Sequence, residues 1–169
     1  MIKRVIWAVV FIMIAALLQS TIFSRLALYI HAVPDLALTI LVFCAYVNGT
    51  MTGQLTGFFS GFLLDFLSAS PLGLNALVRT LIGALTGFMK GTFFLDLFFL
   101  PMALCAGATA LKALVYFLLH LLLTGAVPSY AFFGLTFWIE MGLNVLFAPF
   151  LFGLLKLFGS LLAGQRETF

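Results

Sequence analysis

Four ionisable residues lie well inside apolar stretches of the chain: Asp65, Arg79, Lys112 and Glu140. A charge at the centre of a membrane helix costs about 2.5 to 3.5 kcal/mol on insertion scales, so each requires a partner or a function. One interpretation is a proton or ion relay, or a polar substrate site. The other is a set of ion pairs that fix the register and packing of helices. The chain lacks the further unpaired carboxylates that are typical of a relay, which favours the second interpretation.

Depth in the membrane predicts which of these charges pair. At a rise of 1.5 Å per residue, Asp65 lies roughly 6 Å and Arg79 roughly 12 Å below the turn at Ser70-Pro71. By the same count, Lys112 lies roughly 18 Å and Glu140 roughly 15 Å from the outer loop between their helices. The predicted pairs are therefore Asp65 with Arg79 and Lys112 with Glu140.

Two asparagines and a histidine lie near these charges in sequence. Asn75 precedes Arg79 by four residues and Asn144 follows Glu140 by four, so each amide shares a helix face with a charge. We expect both amides to support the ion pairs. For His120, a hydrogen-bonded packing role is favoured over a ligand role.

Signatures of catalysis are missing. The sequence contains no P-loop, zinc-protease motif, paired-cysteine metal motif or nucleophile elbow. Cys44 and Cys105 fall within apolar spans, where buried thiols pack as small hydrophobes. The sequence therefore predicts no catalytic residue, no metal and no cofactor, and the protein is not expected to be an enzyme.

The composition is that of a membrane protein. The chain is 64% hydrophobic and 8% charged, against about 25% charged residues in soluble domains. The net charge of +3 is small, and no basic face indicates nucleic-acid binding. Residues 1–169 are predicted to form a single transmembrane helical domain.

The apolar stretches predict an all-α, polytopic protein with six transmembrane helices, since each crossing needs about 20 apolar residues. Pro34 favours the start of the second helix, and Pro149 is expected to kink the sixth. The predicted spans are about Val5–Phe23, Pro34–Val47, Met51–Ser68, Leu72–Met89, Leu95–Leu123 and Phe132–Phe158.

The positions of the basic residues predict the orientation. With both termini cytoplasmic, only Arg25 falls in an outer loop, and that loop, Ser24–Val33, has room for a little structure. The apolar run after Lys3 and Arg4 resembles a signal peptide, but no small-x-small cleavage site follows Leu18, so an uncleaved first span is expected. The predicted cytoplasmic cations are Lys3, Arg4, Lys90, Lys156 and Arg166.

Glycines recur at every fourth residue on either side of the turn at Ser70-Pro71. Glycine costs about 1 kcal/mol per helical site relative to alanine, and rows of small residues let membrane helices approach closely. We therefore expect the third and fourth helices to form a tightly packed hairpin. The glycines concerned are Gly53, Gly57, Gly61, Gly83 and Gly87.

The central part of the chain, about Pro34–Lys90, resembles the rod shape-determining protein MreD family. The resemblance rests on Pro34-Asp35-Leu36, the glycine row, Leu64-Asp65 and the turn from Ser70 to Asn75. The turn contributes Pro71, Gly73 and Asn75 to the motif. The combination of aspartate, turn and glycine row is fairly specific.

The resemblance implies a bacterial inner-membrane protein of the cell-elongation machinery that supports peptidoglycan synthesis. Members of this family partner MreC, and they are associated with MreB, RodA and a penicillin-binding transpeptidase. The family is also similar in fold to the substrate-binding subunits of energy-coupling-factor vitamin transporters. An outward-facing cavity is a further expectation by that analogy.

Two alternative functions remain open. The first is the substrate-binding subunit of a vitamin transporter, which commonly carries an Ala-x-x-x-Ala row in its first helix. Ala8, Ala15 and Ala16 do not have that spacing. The second is a carrier of lipid intermediates, which the intramembrane polar residues permit but do not favour. The preferred hypothesis is a non-enzymatic scaffold that offers a groove or face to the transmembrane helix of MreC.

Overall fold

The structure is a computed structural model, and it describes residues 1–22, 32–68, 70–91, 98–123 and 134–162. All regular elements in this part of the chain are α-helices. In chain order they are α1 (Ile2–Ile22), α2 (Leu36–Asn48), α3 (Thr50–Leu67), α4 (Leu74–Phe88), α5 (Phe99–Leu122), α6 (Leu135–Leu157) and the single turn α7 (Gly159–Leu162). The predicted all-α class is confirmed.

Three of these helices, α1, α5 and α6, are long and apolar enough to cross a membrane. Helices α2 and α4 contain 13 and 15 residues, or about 20 and 22 Å, which is less than the roughly 30 Å of a bilayer core. The polar residues of α3 lower its hydropathy. Six crossings therefore remain a prediction.

Helix α2 lies at the centre of the bundle. Every residue from Ala37 to Val47 is buried, and the ring of Phe43 packs edge-on against Phe152 of α6 at 5.1 Å. Because α2 is covered on all sides by protein, its length need not match the thickness of the lipid. A residue with a positive φ, Gly49 (+91°), separates α2 from α3 and allows the chain to reverse there.

Helices α3 and α4 form the closest helix pair. A Cβ atom on Gly53 would overlap the carbonyl oxygen of Gly83, and one on Gly57 would overlap that of Arg79. A Cβ on Gly61 would lie 2.5 Å from the oxygen of Asn75, and one on Gly87 2.6 Å from Cα of Thr50. The predicted glycine row thus lies directly against the backbone of the neighbouring helix.

Several predicted features lie partly or wholly outside the described residues. They include the outer loop Ser24–Val33 up to residue 31, the loop that contains Gly125 and Tyr130, and the cations Arg25 and Arg166. Helix α6 runs without interruption through Pro149, and the kink there remains a prediction.

Candidate functional site

Asp35 is the centre of a buried group of charges. It caps the N-terminus of α2, where its Oδ1 accepts a hydrogen bond from the backbone N–H of Leu38 at 2.9 Å. The same carboxylate binds Nη2 of Arg79 from α4 at 3.0 Å and Nζ of Lys112 from α5 at 2.8 Å. Only 7% of the Asp35 surface is exposed. Three helices are thereby joined at a single carboxylate.

Lys112 extends this group to α6. Its Nζ also donates to Oε1 of Glu140 at 2.7 Å, so these two residues form the ion pair that the depth estimate predicts. Arg79, Asp35, Lys112 and Glu140, hereafter the charge cluster, follow one another in space with alternating sign. Their formal charges sum to zero, which limits the cost of burial because each ion faces an opposite charge.

Asn144 of α6 connects the start of α2 to α5 and α6. Its Oδ1 accepts from the backbone N–H of Asp35 at 2.7 Å, and its Nδ2 donates to Oγ1 of Thr109 at 3.0 Å. Asn144 is 1% exposed. The amide predicted to assist Glu140 thus orients Asp35 instead.

The predicted pair of Asp65 with Arg79 is wrong. Both oxygens of Asp65 are used by the turn between α3 and α4, where they accept from the backbone N–H groups of Gly73, Asn75 and Ala76 at 2.9 to 3.2 Å. The side chains of Ser70 and Asn75 donate to Oδ1 as well. The first N–H groups of α4, which have no partner within the helix, therefore supply the hydrogen bonds that Asp65 needs. Arg79 binds Asp35 instead.

The motif residues around this turn have local roles. Gly73 adopts the left-handed conformation at φ +93° directly before α4, and the N–H of Leu74 donates to the oxygen of Pro71 at 3.2 Å. Nδ2 of Asn75 binds Asp65, and Oδ1 of Asn75 accepts from the hydroxyl of Tyr116 on α5 at 3.0 Å. The turn is therefore tied to α5, the helix that carries Lys112.

Sequence reasoning placed Asp35 in the family motif but not among the intramembrane charges. One signal was available, because Pro34 and Asp35 before an apolar run are typical of a helix start. A helix that starts between other helices rather than at the surface of the protein brings its capping carboxylate into the interior. The contacts with Arg79 and Lys112 depend on chain packing that spacing does not reveal.

On one side the charge cluster borders two depressions. A depression of about 300 Å³ is bordered by Gln19, Ser20, Asp35 and Arg79, and one of about 460 Å³ by Gln19, Asp35, Lys112, Thr136 and Glu140. On the inner side, Nη1 of Arg79 is buried and makes no hydrogen bond with the described residues. The charge cluster thus borders two depressions at its rim, while part of the Arg79 guanidinium is buried.

The described residues offer no metal centre, since no group of three or more His, Cys, Asp or Glu side chains is suitably placed there. Cys44 and Cys105 are buried free thiols. His120 is half-buried on the last turn of α5. The charge cluster can hold α2, α4, α5 and α6 together, and it can form polar contacts with a molecule at its rim.

A family model described as rod shape-determining protein MreD matches residues 1–158. The chain belongs to the MreD family. The match covers the charge cluster and the glycine hairpin alike, so both belong to the part of the chain that the MreD model describes. The family implies a role in rod shape determination and an association with the membrane. Neither the comparison with curated proteins nor that with solved structures gave a match.

Proposed function

We propose that this protein is a non-enzymatic scaffold of the bacterial inner membrane that binds MreC and supports peptidoglycan synthesis by the elongation complex. RodA, a penicillin-binding transpeptidase and MreB are the further proposed members of that complex. The chain would cross the membrane six times, with both termini in the cytoplasm. Membership of the MreD family is the observation that carries this proposal.

The internal pairing of the charge cluster supports a scaffold. Lys112 is bound by two carboxylates, Asp35 and Glu140, and Asp35 by two cations. Such mutual neutralisation across four helices fixes their register. A relay would instead require groups that change their charge without disrupting the packing of the bundle.

An apolar groove between α1 and α3 supports binding of a single transmembrane helix. It has a volume of about 520 Å³. Its lining is entirely hydrophobic: Ile2, Val5, Ile6, Val9, Val10, Leu55, Phe59, Phe62 and Leu63. Helices associate in lipid chiefly through close packing, and a groove provides more packing contacts than a convex surface. We propose that the transmembrane helix of MreC occupies it.

An aromatic row borders this groove on α3. Phe58, Phe62 and Phe66 succeed one another at intervals of four residues, with ring centroids 6.1 and 4.9 Å apart. Each of these rings is at least 40% exposed. Of these three rings, Phe62 lines the groove, and it packs against both of the others.

Co-purification after joint expression with MreC tests this function. We expect MreC to be retained by the wild-type chain, and Ile6→Trp to reduce its retention about tenfold or more by filling the groove, since overpacking costs about 1 to 3 kcal/mol. Ile6 is 56% exposed, so the protein itself should fold.

Leu146→Trp is the matched control, because Leu146 is a comparably exposed apolar residue (59%) on α6 and does not line the groove. Absence of MreC from the wild-type preparation, with both proteins folded, would contradict the scaffold function. Equal retention by the two tryptophan variants would leave MreC binding intact but exclude this groove as its site.

A further inference from the structure

The two depressions at the rim of the charge cluster have the size of a ligand site. Their volumes, about 300 and 460 Å³, fall within the roughly 300 to 1,000 Å³ of small-molecule pockets. They share Gln19, Val33 and Asp35 as a common wall, so one ligand can extend across both.

The alternating charges give this site a positive and a negative end. Arg79 stands at one end, at the smaller depression, and Glu140 at the other, at the larger. The guanidinium is bound by a single carboxylate, that of Asp35, through Nη2. Its positive charge is therefore less compensated there than that of Lys112, which binds two carboxylates.

Charge complementarity selects the chemical class of the ligand. A simple anion would be repelled by Asp35 and Glu140, and a simple cation by Arg79 and Lys112. A molecule with an anionic oxygen at one end and an ammonium group at the other matches both ends, since hydrogen bonds between ions are the stronger ones.

The location of the site indicates where this ligand comes from. Gln19 is three residues from the end of α1 and Thr136 is the second residue of α6, so the mouths of the depressions lie where helices end and lipid headgroups are found. Glu140 lies about one helical turn deeper than Thr136. Ala16 and Leu64 border the smaller depression and present an apolar edge. An acyl chain can pack against that edge.

We propose that the rim of the charge cluster binds a zwitterion composed of an ammonium group and an anionic oxygen, with the phosphoethanolamine headgroup of a phospholipid as its source. The phosphate lies toward Arg79 and the ammonium toward Glu140. This binding goes beyond the proposed scaffold function and does not depend on MreC.

Native mass spectrometry of the whole chain in detergent tests the proposal. The probe is an equimolar mixture of phosphatidylethanolamine, phosphatidylcholine and phosphatidylglycerol with identical acyl chains. We expect phosphatidylethanolamine to be retained about tenfold over the others, the ratio that one charge-assisted hydrogen bond provides. The choline headgroup has no N–H to donate to Glu140, and the glycerol headgroup has no cation.

Thr136→Trp should abolish this preference by filling the larger depression. Leu135→Trp is the matched control, because the adjacent Leu135 is 76% exposed and does not line either depression. Both positions are exposed, so neither variant should affect folding. Equal retention of the three lipids, or equal retention of phosphatidylethanolamine by the two variants, would overturn the proposal.

An excess of free phosphoethanolamine distinguishes the two sources of the headgroup. If the lipid is the source, the free compound should leave the retained phosphatidylethanolamine in place. Displacement by the free compound would assign the site to a soluble zwitterion and overturn the lipid assignment. Neither result bears on co-purification with MreC.

Discussion

Two buried aspartates near helix ends, Asp65 and Asp35, bind different kinds of hydrogen-bond donors. Asp65 is 2% exposed and Asp35 is 7% exposed, so both need partners. Asp65 lies in the last turn of α3, where the first N–H groups of α4 donate to it across the tight turn. Asp35 receives one such N–H from its own helix, and the cations of two other helices supply the rest. The Asp65 carboxylate accepts from three backbone N–H groups. The Asp35 carboxylate accepts from one and binds two cations instead.

Asp65→Asn should destabilise the protein by about 1 to 3 kcal/mol, because the amide replaces an accepting oxygen with an N–H₂ group that faces backbone donors. The measurement is thermal or denaturant unfolding in detergent.

Ser70→Ala serves as the control for this substitution. It removes the hydroxyl that donates to Oδ1 of Asp65 at 3.2 Å, and with it two bonds to neutral partners, Asn75 at 3.0 Å and Ser68 at 2.6 Å. Its cost should stay at about 0.5 to 1.5 kcal/mol, because Ser68 is exposed to solvent and Asn75 keeps its own hydrogen bond to Asp65. An asparagine variant no less stable than the alanine variant would refute this account of the turn.

At the scale of elements, the α3–α4 hairpin was predictable and the charge cluster was only partly so. The glycine row is visible in the sequence because a spacing of four residues places side chains on one helix face. The turn between α3 and α4 is short, so these helices are neighbours. The partners of Asp35, by contrast, lie far away in sequence: Arg79, Lys112 and Asn144 follow it by 44, 77 and 109 residues. A local sequence pattern cannot predict contacts over such separations.

Gly57→Ala should destabilise the hairpin by about 1 to 3 kcal/mol, the usual cost of overpacking. The added Cβ would overlap the backbone of Arg79, which cannot move aside without shifting α4. Unfolding of the purified variant in detergent measures the effect.

Gly107→Ala and Gly142→Ala are the matched controls, since a Cβ at either helical position meets no atom within 4 Å. Alanine there should be neutral or stabilising by up to about 1 kcal/mol through helix propensity. If Gly57→Ala behaved like these controls, α3 and α4 would not be in backbone contact.

The whole molecule combines a buried charge cluster of zero net charge with cations at the ends of its helices. The basic residues Lys3, Lys90 and Lys156 lie at or near the ends of α1, α4 and α6. The positive-inside rule assigns these ends to the cytoplasm. In that predicted orientation the side of the charge cluster with the two depressions would face outward, and the outward-facing cavity remains a prediction.

Single cysteines at the two ends of α4 test this orientation. In a chain whose Cys44 and Cys105 are replaced by alanine, Leu72→Cys should react with a membrane-impermeant maleimide from outside the cell. Met89→Cys should react only after the membrane is opened, because α4 would cross it despite its 15 residues. Reaction of both cysteines from the same side would contradict six crossings.

The enclosure of Asp35 has a consequence for biogenesis. Its backbone N–H and most contacts of its carboxylate depend on α4, α5 and α6, all of which leave the ribosome later than α2. A nascent chain that ends before Lys112 holds Asp35 with at most one of its two cations. The second helix therefore reaches its final environment only after α6 has been synthesised, and a chain truncated before Lys112 would contain an incompletely neutralised acid.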